Sequence, residues 1–536
     1  MKQWGPLYAL ALAQFIMVLD QAVMNVSITQ LVEDFDTTVT TIQGVITLYT
    51  LVMAMFMMTG AKIGDIIGRR RAFVIGLIIY ATGSSLTAVA PTVAVLTLGW
   101  SVLEGLGAAL VLPALAALIA GNFKGRERIT AYAIIGGVAG AGIAVGPILG
   151  GWATTMLTWR IVFVGEVVLV LIILALTRYV ADTPREGRKP SLDVVGSALS
   201  ALGLGAIVLG ILQASTWGLV QPKDSPITPL GFSLTVWMIG AGIASLYLFV
   251  RWQRRREATG RDPLMHLDLF KIPQLRAGLA SMLSQNFILM GLFFIVPLYL
   301  QLVLGMNALE TGIKMLPVSI AMFIASALGS RLSLRYSVRT IIRAGLVISS
   351  IAVFILIAAI EPDLEGVAFA TSMALLGVGI GLLASQLGNV VQSSVDASGR
   401  SEAGGLQYSA QQLGSSLGVA LMGAIVIVGL TSNFLISIED DPRISDQLAA
   451  ATTVAVGGSM EFLATEQVAV AVDQSDLGDA TADAIVEDYE AAQLQALKTG
   501  LLAAAAIALL TLMFTRNLPS QVRKPDPPPS AGVAAA

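Results

Sequence analysis

The chain contains no cysteine and a single histidine, His266. The first absence excludes disulfides, thiolate metal sites and cysteine nucleophiles, and the second excludes a metal centre built from imidazoles. Charge is scarce too: Asp, Glu, Lys and Arg make up 12% of the residues, where a soluble domain carries about a quarter. No Gly-rich phosphate-binding loop of the P-loop type occurs, so ATP is not the expected energy source. No grouping of nucleophile, base and oxyanion donors is recognisable either. An enzyme, a bound cofactor and a nucleic-acid partner are therefore not expected.

Apolar sequence is what the chain has in excess. Of its 536 residues 55% are hydrophobic, and the mean hydropathy is +0.79. A membrane-spanning helix needs about 20 predominantly apolar residues. Fourteen runs meet that need, at roughly 7–30, 40–60, 72–90, 92–120, 129–155, 160–181, 193–215, 229–250, 276–304, 308–330, 338–360, 364–393, 405–430 and 497–515. The first run, from Leu7 to about Ile28, is too long for the apolar region of a signal peptide and is expected to be a retained span.

Basic residues set orientation, because they collect in cytoplasmic loops. Alternate loops carry Lys62 and Arg69–Arg71, then Lys124, then Arg185, Arg188 and Lys189, then Arg254–Arg256 and Arg261, then Arg331, Arg335 and Arg339. The tail adds Arg516, Arg523 and Lys524, whereas the intervening loops hold Glu33, Asp34, Asp36, Glu361, Asp363 and Glu365. A multi-pass protein of the inner (plasma) membrane with both termini in the cytoplasm is expected. One outer loop, 431–496, is long, acidic and alanine-rich, with Arg443 as its single base. Patches such as "EFLATEQVAVAV" and "ADAIVEDYEAAQLQAL" predict short amphipathic helices there, in a lid or a spacer. The Pro/Ala-rich tail 516–536 reads as disordered.

Three stretches carry more than hydropathy. "AKIGDIIGRRR", 61–71, joins the second and third runs: Gly64 and Gly68 permit a tight turn, Asp65 can accept backbone N–H groups, and Arg69 and Arg70 can pair with carboxylates. "LDQAVMNVSI", 19–28, places Asp20 about 20 Å along the first helix, near mid-membrane. An ionisable group at that depth is costly unless it lines a cavity or has a partner, and it marks a functional site by default. "GAGIAVGPILGG", 140–151, spaces Gly142, Gly146 and Gly150 four residues apart, so that one helix face admits a close neighbour. Pro147 bends the same helix, and Gly151 ends the motif.

Together these stretches resemble the major facilitator superfamily, in particular its fourteen-span drug:proton antiporters. "AKIGDIIGRRR" resembles the superfamily loop G-x-L-A-D-R-x-G-R-R, with Ala61 for the first glycine and Ile66 for a base. "LDQAVMNVSI" resembles L-D-x-T-I-V-N-V-A-L-P of the first span, and "GAGIAVGPILGG" resembles the antiporter motif G-x-x-x-G-P-x-x-G-G. The resemblance implies an all-α fold of two six-helix bundles, 1–181 and 276–515, with two inserted helices and a linker in 182–275. It implies that 61–71 latches the bundles on the cytoplasmic side, that the fifth-span bend seals the outer side, and that spans one and four line a substrate cavity. Asn25 and Ser101 fall at cavity positions, and a monomer is expected.

The fourth span, "GWSVLEGLGAALVLP", departs from the family's R-x-x-Q-G: Ser101 stands at the arginine position and Glu104 at the glutamine. Glu104 lies ~18 Å below the outer end of its helix, near the depth of Asp20, while Glu166 in the sixth span is ~9 Å in. No base accompanies these acids within the membrane. Asp20 and Glu104 are the expected proton carriers and attract cationic groups, with Glu166 as an outer relay. The implied function is proton-coupled antiport of lipophilic or cationic drugs by alternating access. Export of an endogenous metabolite, lipid or antibiotic is the alternative, and uptake symport is disfavoured by the fifth-span motif.

Overall fold

A computed structural model of the chain describes residues 4–521, except 124, 183–190, 363, 365, 397–398, 457–459 and 476. Lys124, Arg185, Arg188, Lys189, Asp363, Glu365, Arg523, Lys524 and all of the tail beyond 521 lie outside the described residues. Fourteen helices are long and apolar enough to cross a membrane. Spans 1 to 8 are Gly5–Val26, Val39–Ile67, Arg69–Ala88, Val93–Asn122, Ile134–Met156, Arg160–Tyr179, Val194–Trp217 and Leu234–Ala258. Spans 9 to 14 are Pro273–Val303, Ala308–Leu332, Val338–Ala359, Gly366–Ser393, Glu402–Asp440 and Asp479–Asn517. The first and last described residues lie on one face, called here the terminal face, where Trp4 stacks on Phe123 and Leu518 accepts from Arg339, and which also carries the loop 61–71, with Arg70 on Asp182.

Helix packing repeats with an offset of eight. Span 1 packs on 5 and 6, span 2 on 4, and span 3 on 4 and 6; span 9 packs on 13 and 14, span 10 on 12, and span 11 on 12 and 14. The two most extensive contacts between the halves are span 2 with span 13 and span 5 with span 10. Each is the other's image under exchange of the halves. Span 9 is buried along most of its length, whereas span 8 exposes Ile243, Tyr247 and Leu248. Outward apolar side chains are the stable arrangement when hydrocarbon replaces water as the solvent.

Two boundaries differ from the hydropathy reading. Span 13 continues to Asp440 and span 14 begins at Asp479, so the connecting loop is 441–478 rather than 431–496. The stretch "ADAIVEDYEAAQLQAL" is thus the first part of span 14. Its Ala, Glu and Gln residues favour helix, and no Gly or Pro interrupts it before Gly500. Short helices Asp446–Val456 and Thr465–Asp473 occupy the remaining loop. The Tyr489 hydroxyl of span 14 accepts the Leu463 N–H at 2.8 Å, and Phe434 meets the Tyr489 ring edge-on at 5.7 Å. The loop is therefore fastened to the protruding ends of spans 13 and 14.

The halves touch at both faces. On the face opposite the termini, Gln301 donates to the Val26 carbonyl at 3.0 Å and accepts from the Thr29 hydroxyl. Gln43 of span 2 donates to the Val419 carbonyl of span 13 at 2.9 Å. On the terminal face the Gly405 backbone of span 13 lies against Ala61 and Met58 of span 2.

Candidate functional site

Span 4 does not run as a regular α-helix. Residues Thr97–Glu104 wind as a π-helix, with the α-helix resuming at Gly105. Such wide turns recur at functional positions, because they redirect side chains and loosen the backbone ladder. Span 3 comes close enough to support it: a Cβ on Gly83 would lie 2.6 Å from both Glu104 Cγ and the Gly99 carbonyl oxygen. The π-turn aims Trp100 toward span 1 and Glu104 toward spans 3 and 6.

Three buried carboxylates converge there. One oxygen from each of Asp20, Glu104 and Glu166 lies within 4.8 Å of the other two, and all three side chains are buried. Asp20 accepts from the Trp100 indole N–H through both oxygens, at 3.0 and 3.1 Å. Glu166 Oε2 accepts from the Tyr80 hydroxyl at 3.1 Å and the Ser84 hydroxyl at 3.0 Å. Glu104 Oε1 accepts from the Thr87 hydroxyl at 3.3 Å. Glu104 Oε2 and Glu166 Oε1 have no partner. Tyr49 of span 2 stacks on Trp100 at 5.1 Å between ring centres, and its buried hydroxyl points at Asp20 without a well-formed hydrogen bond.

Among the described residues no Lys, Arg or His pairs with any of the three acids. Two carboxylate charges 4.8 Å apart repel by about 3 kcal/mol even at an effective dielectric constant of ~20, so the set does not hold three charges at once. Protons within such a cluster belong to the group as a whole rather than to one residue.

The placement corrects two expectations. Glu166 is not an outer relay above the other acids but a member of the same cluster. Counting residues along one helix gives depth only if helices are upright and start at one height, and Arg160, which opens span 6, is anchored to Asp34 and the Ala90 carbonyl. The cluster also faces inward among spans 1, 3, 4 and 6 rather than toward spans 9–14. Its donors Tyr80, Ser84 and Thr87 were not anticipated. They recur at i, i+4 and i+7 on one face of span 3, a polar stripe that was readable in the sequence. Trp100 carried no such signal.

The two expected cavity residues are engaged in packing. Ser101 is buried and donates to the Val45 carbonyl of span 2 at 2.7 Å. The Asn25 amide donates to the Gln21 carbonyl at 2.7 Å, leaving its buried Oδ1 without a partner.

The loop 61–71 forms a tight turn. Gly68 sits at φ 105°, a conformation that disfavours any side chain, and its N–H bonds the Gly64 carbonyl at 3.0 Å. Arg69 pairs with Asp65 one turn earlier and donates to the Ala61 carbonyl at 3.3 Å. The Arg70 N–H donates to Asp182 at 3.3 Å. The glycine face of span 5 is covered from two sides. Gly142, Gly146 and Gly150 lie against Val18, Ala22 and Val23 of span 1, and Gly151 lies against Ala308 of span 10. The Pro147 carbonyl in turn rests on Gly312 of span 10. The motif thus joins span 1 to the other half of the molecule.

The chain is similar to known proteins. The chain is 28% identical over 516 residues to the multidrug efflux pump LfrA of Mycolicibacterium smegmatis, covering 96% of this chain and 97% of that one. It is 32% identical to the puromycin resistance protein pur8 of Streptomyces alboniger, covering 81% and 84%. It is 30% identical to a probable actinorhodin transporter of Streptomyces coelicolor, covering 84% and 77%. In fold it is similar to a bacterial homologue of the human lysosomal transporter Spinster solved inward-facing and unoccupied, with a TM-score of 0.61 at 16% identity over 96% and 98% of the two chains. Residues 10–419 match the description "Major Facilitator Superfamily", and with fourteen spans in this packing the chain is a membrane transporter belonging to that superfamily.

Proposed function

We propose that this transporter is a proton-coupled antiporter that exports lipophilic or cationic drugs by alternating access, with its terminal face in the cytoplasm. The observation that carries the reading is the buried Asp20–Glu104–Glu166 cluster without a base. Like charges at that spacing are relieved by taking up protons, and a shift of the surrounding helices that admits water releases them. The membrane potential, worth ~2.3 kcal/mol per charge per 100 mV, favours proton entry from outside. Because the acids face the inside of spans 1–6, proton and drug need not occupy one site. Coupling then runs through the helices, with span 1 touching both the acids and the glycine face of span 5 that meets span 10. In this reading 61–71 is the cytoplasmic latch and 142–151 the outer hinge. Of the two cavity candidates, Asn25 on span 1 is the one that keeps an unpartnered Oδ1 with which to accept from a substrate.

Ethidium efflux from cells or proteoliposomes, with and without a protonophore, tests the coupling. Glu104→Gln and Asp20→Asn are expected to lose protonophore-sensitive efflux by about tenfold or more, the loss expected when a group acts only in the coupled step. Full proton-driven efflux in both variants would sink the assignment. A second reading, export of an endogenous metabolite, lipid or antibiotic, is favoured by the relatives named as a probable actinorhodin transporter and a tetracenomycin C resistance and export protein. A chain that extrudes actinorhodin or tetracenomycin C but not ethidium would support it.

A further inference from the structure

The two inserted helices are bound into one unit. Asp193, buried at the start of span 7, accepts from Trp252 Nε1 at 2.9 Å, Gln253 Nε2 at 2.8 Å and its own Gly196 N–H at 3.0 Å, with Arg256 at 3.6 Å. Higher up, Gly203 and Gly242 bring spans 7 and 8 together so closely that a Cβ on either would strike the other helix. The linker that follows span 8 is built onto the same knot. Gln253 Oε1 accepts the Leu264 N–H at 2.8 Å, Arg256 donates to the Asp262 carbonyl at 3.0 Å, and Asp262 accepts the Ser191 N–H at 2.9 Å.

This unit touches both halves of the transporter, by different means. On span 2 it has a buried polar anchor, the Thr59 hydroxyl donating to Ser197 at 3.0 Å, beside an apolar contact of Leu51 with Val208 and Leu212. On span 13 the membrane part of span 7 packs against the apolar side chains Leu413, Leu417 and Ala420, a surface that can slide. At the terminal face, however, the linker is clipped to span 13. Both the His266 backbone N–H and its ring reach the Glu402 carboxylate, the ring Nδ1 at 2.9 Å from Oε2. Leu264 and Glu402 line a cavity of about 120 Å³ together with Met58, Ala61, Lys62, Asp65 and Gly405. The clip, the latch loop and the junction of spans 2 and 13 therefore meet at one place.

We propose that spans 7 and 8 with the linker 259–267 form a strap across the terminal-face junction of the two halves. It is anchored to span 2 through Thr59–Ser197 and clipped to span 13 through His266–Glu402. Opening of that face requires the clip to release while span 7 slides on span 13. The inference rests on neither the substrate nor the coupling ion, so its failure leaves the antiport reading intact, and the reverse holds as well.

The absence of native cysteine permits a direct test in the full-length protein. A Cβ on Gly405 lies 3.6 Å from the Ala61 Cβ, within the range a disulfide requires. The double variant Ala61→Cys/Gly405→Cys therefore reports closure of the terminal face by its rate of oxidation, followed as protection from a maleimide-polyethylene glycol. A Thr155→Cys/Leu309→Cys pair reports the opposite face. His266→Ala should slow oxidation of the first pair about threefold, the scale of one exposed charged contact. Glu402→Ala, which removes both contacts, should slow it by about tenfold, and the second pair should react as fast or faster in each case. Glu402 also lies near enough to Asp65 to repel it. If that repulsion governs the junction instead of a strap, Glu402→Ala will speed oxidation of the first pair, which overturns the proposal. Unchanged rates in both variants overturn it too, as does equal slowing at both faces, which marks general loosening of the protein.

Discussion

The indole N–H of Trp100 is shared between the two carboxylate oxygens of Asp20, at 3.0 and 3.1 Å. The bond ties the π-turn of span 4 to the middle of span 1, and it is the only donor that reaches Asp20 with good geometry among the described residues. Trp100→Phe keeps most of the ring volume and the stack on Tyr49 but leaves Asp20 without that donor. A loss of about 1–3 kcal/mol is expected, read as a lower unfolding temperature in detergent, together with a displaced pH profile of efflux. Tyr49→Phe removes a hydroxyl that makes no well-formed bond and should lower the unfolding temperature far less. Equal effects of the two substitutions would refute the role given to Trp100.

The span 5 motif can be probed one methyl group at a time. Gly151→Ala and Gly312→Ala each place a Cβ against the backbone of the facing helix, whereas Gly136→Ala meets nothing within 4 Å. The first two should cost about 1–3 kcal/mol each and impair transport, with Gly136→Ala close to wild type. Thermal unfolding and efflux of the three variants side by side decide the matter.

Gly68 holds the latch turn at φ 105° and ψ 139°. A side chain there is strained whatever the space around it, at about 1–3 kcal/mol. Gly68→Ala is expected to weaken closure of the terminal face, read as slower oxidation of the Ala61→Cys/Gly405→Cys pair. Gly64→Ala, where helical backbone is retained, should do so less.

On the opposite face Asp34 accepts from Trp159 Nε1 at 2.8 Å and from Arg160 at 3.0 Å, while the Arg160 guanidinium lies 4.3 Å from the Trp159 ring centre. Burial pushes the Asp34 carboxyl up, but hydrogen bonds from Trp159, Gln30 and Arg160 and the Arg160 charge outweigh it and hold the group below the usual aspartate range. A carboxyl lowered in the folded state adds stability that is fully present above its unfolded value, near 4. That stability is lost as pH falls through the folded value. The unfolding temperatures of wild type and Asp34→Asn should therefore differ at pH 6 to 7, begin to approach each other only below about pH 4, and meet once the pH is below the lowered folded value. A gap that persists in acid would contradict this.

Much of the molecule was legible before any coordinates. Hydropathy is a local property and a span has a fixed minimum length, so fourteen helices could be counted directly. The spacing of Gly142, Gly146 and Gly150 identified a close-packed face. Helical rise gave Asp20 and Glu104 similar distances along their helices, and the structure brings the two carboxylates together. What hydropathy could not find was where span 13 ends and span 14 begins, since a helix does not stop at the membrane surface when the sequence beyond it still favours helix.

By itself, then, the sequence determined that this is a fourteen-span membrane protein with three acids in its apolar interior, because span length and hydropathy are set by the bilayer rather than by neighbouring helices. The tertiary structure alone decided that the three acids form one cluster, that Trp100 and the Tyr80–Ser84–Thr87 face serve it, and that the inserted pair bridges both halves. Each of those facts depends on helix rotation, tilt and starting height. A stretch of wide turns such as Thr97–Glu104 changes rotation without leaving a trace in composition or period.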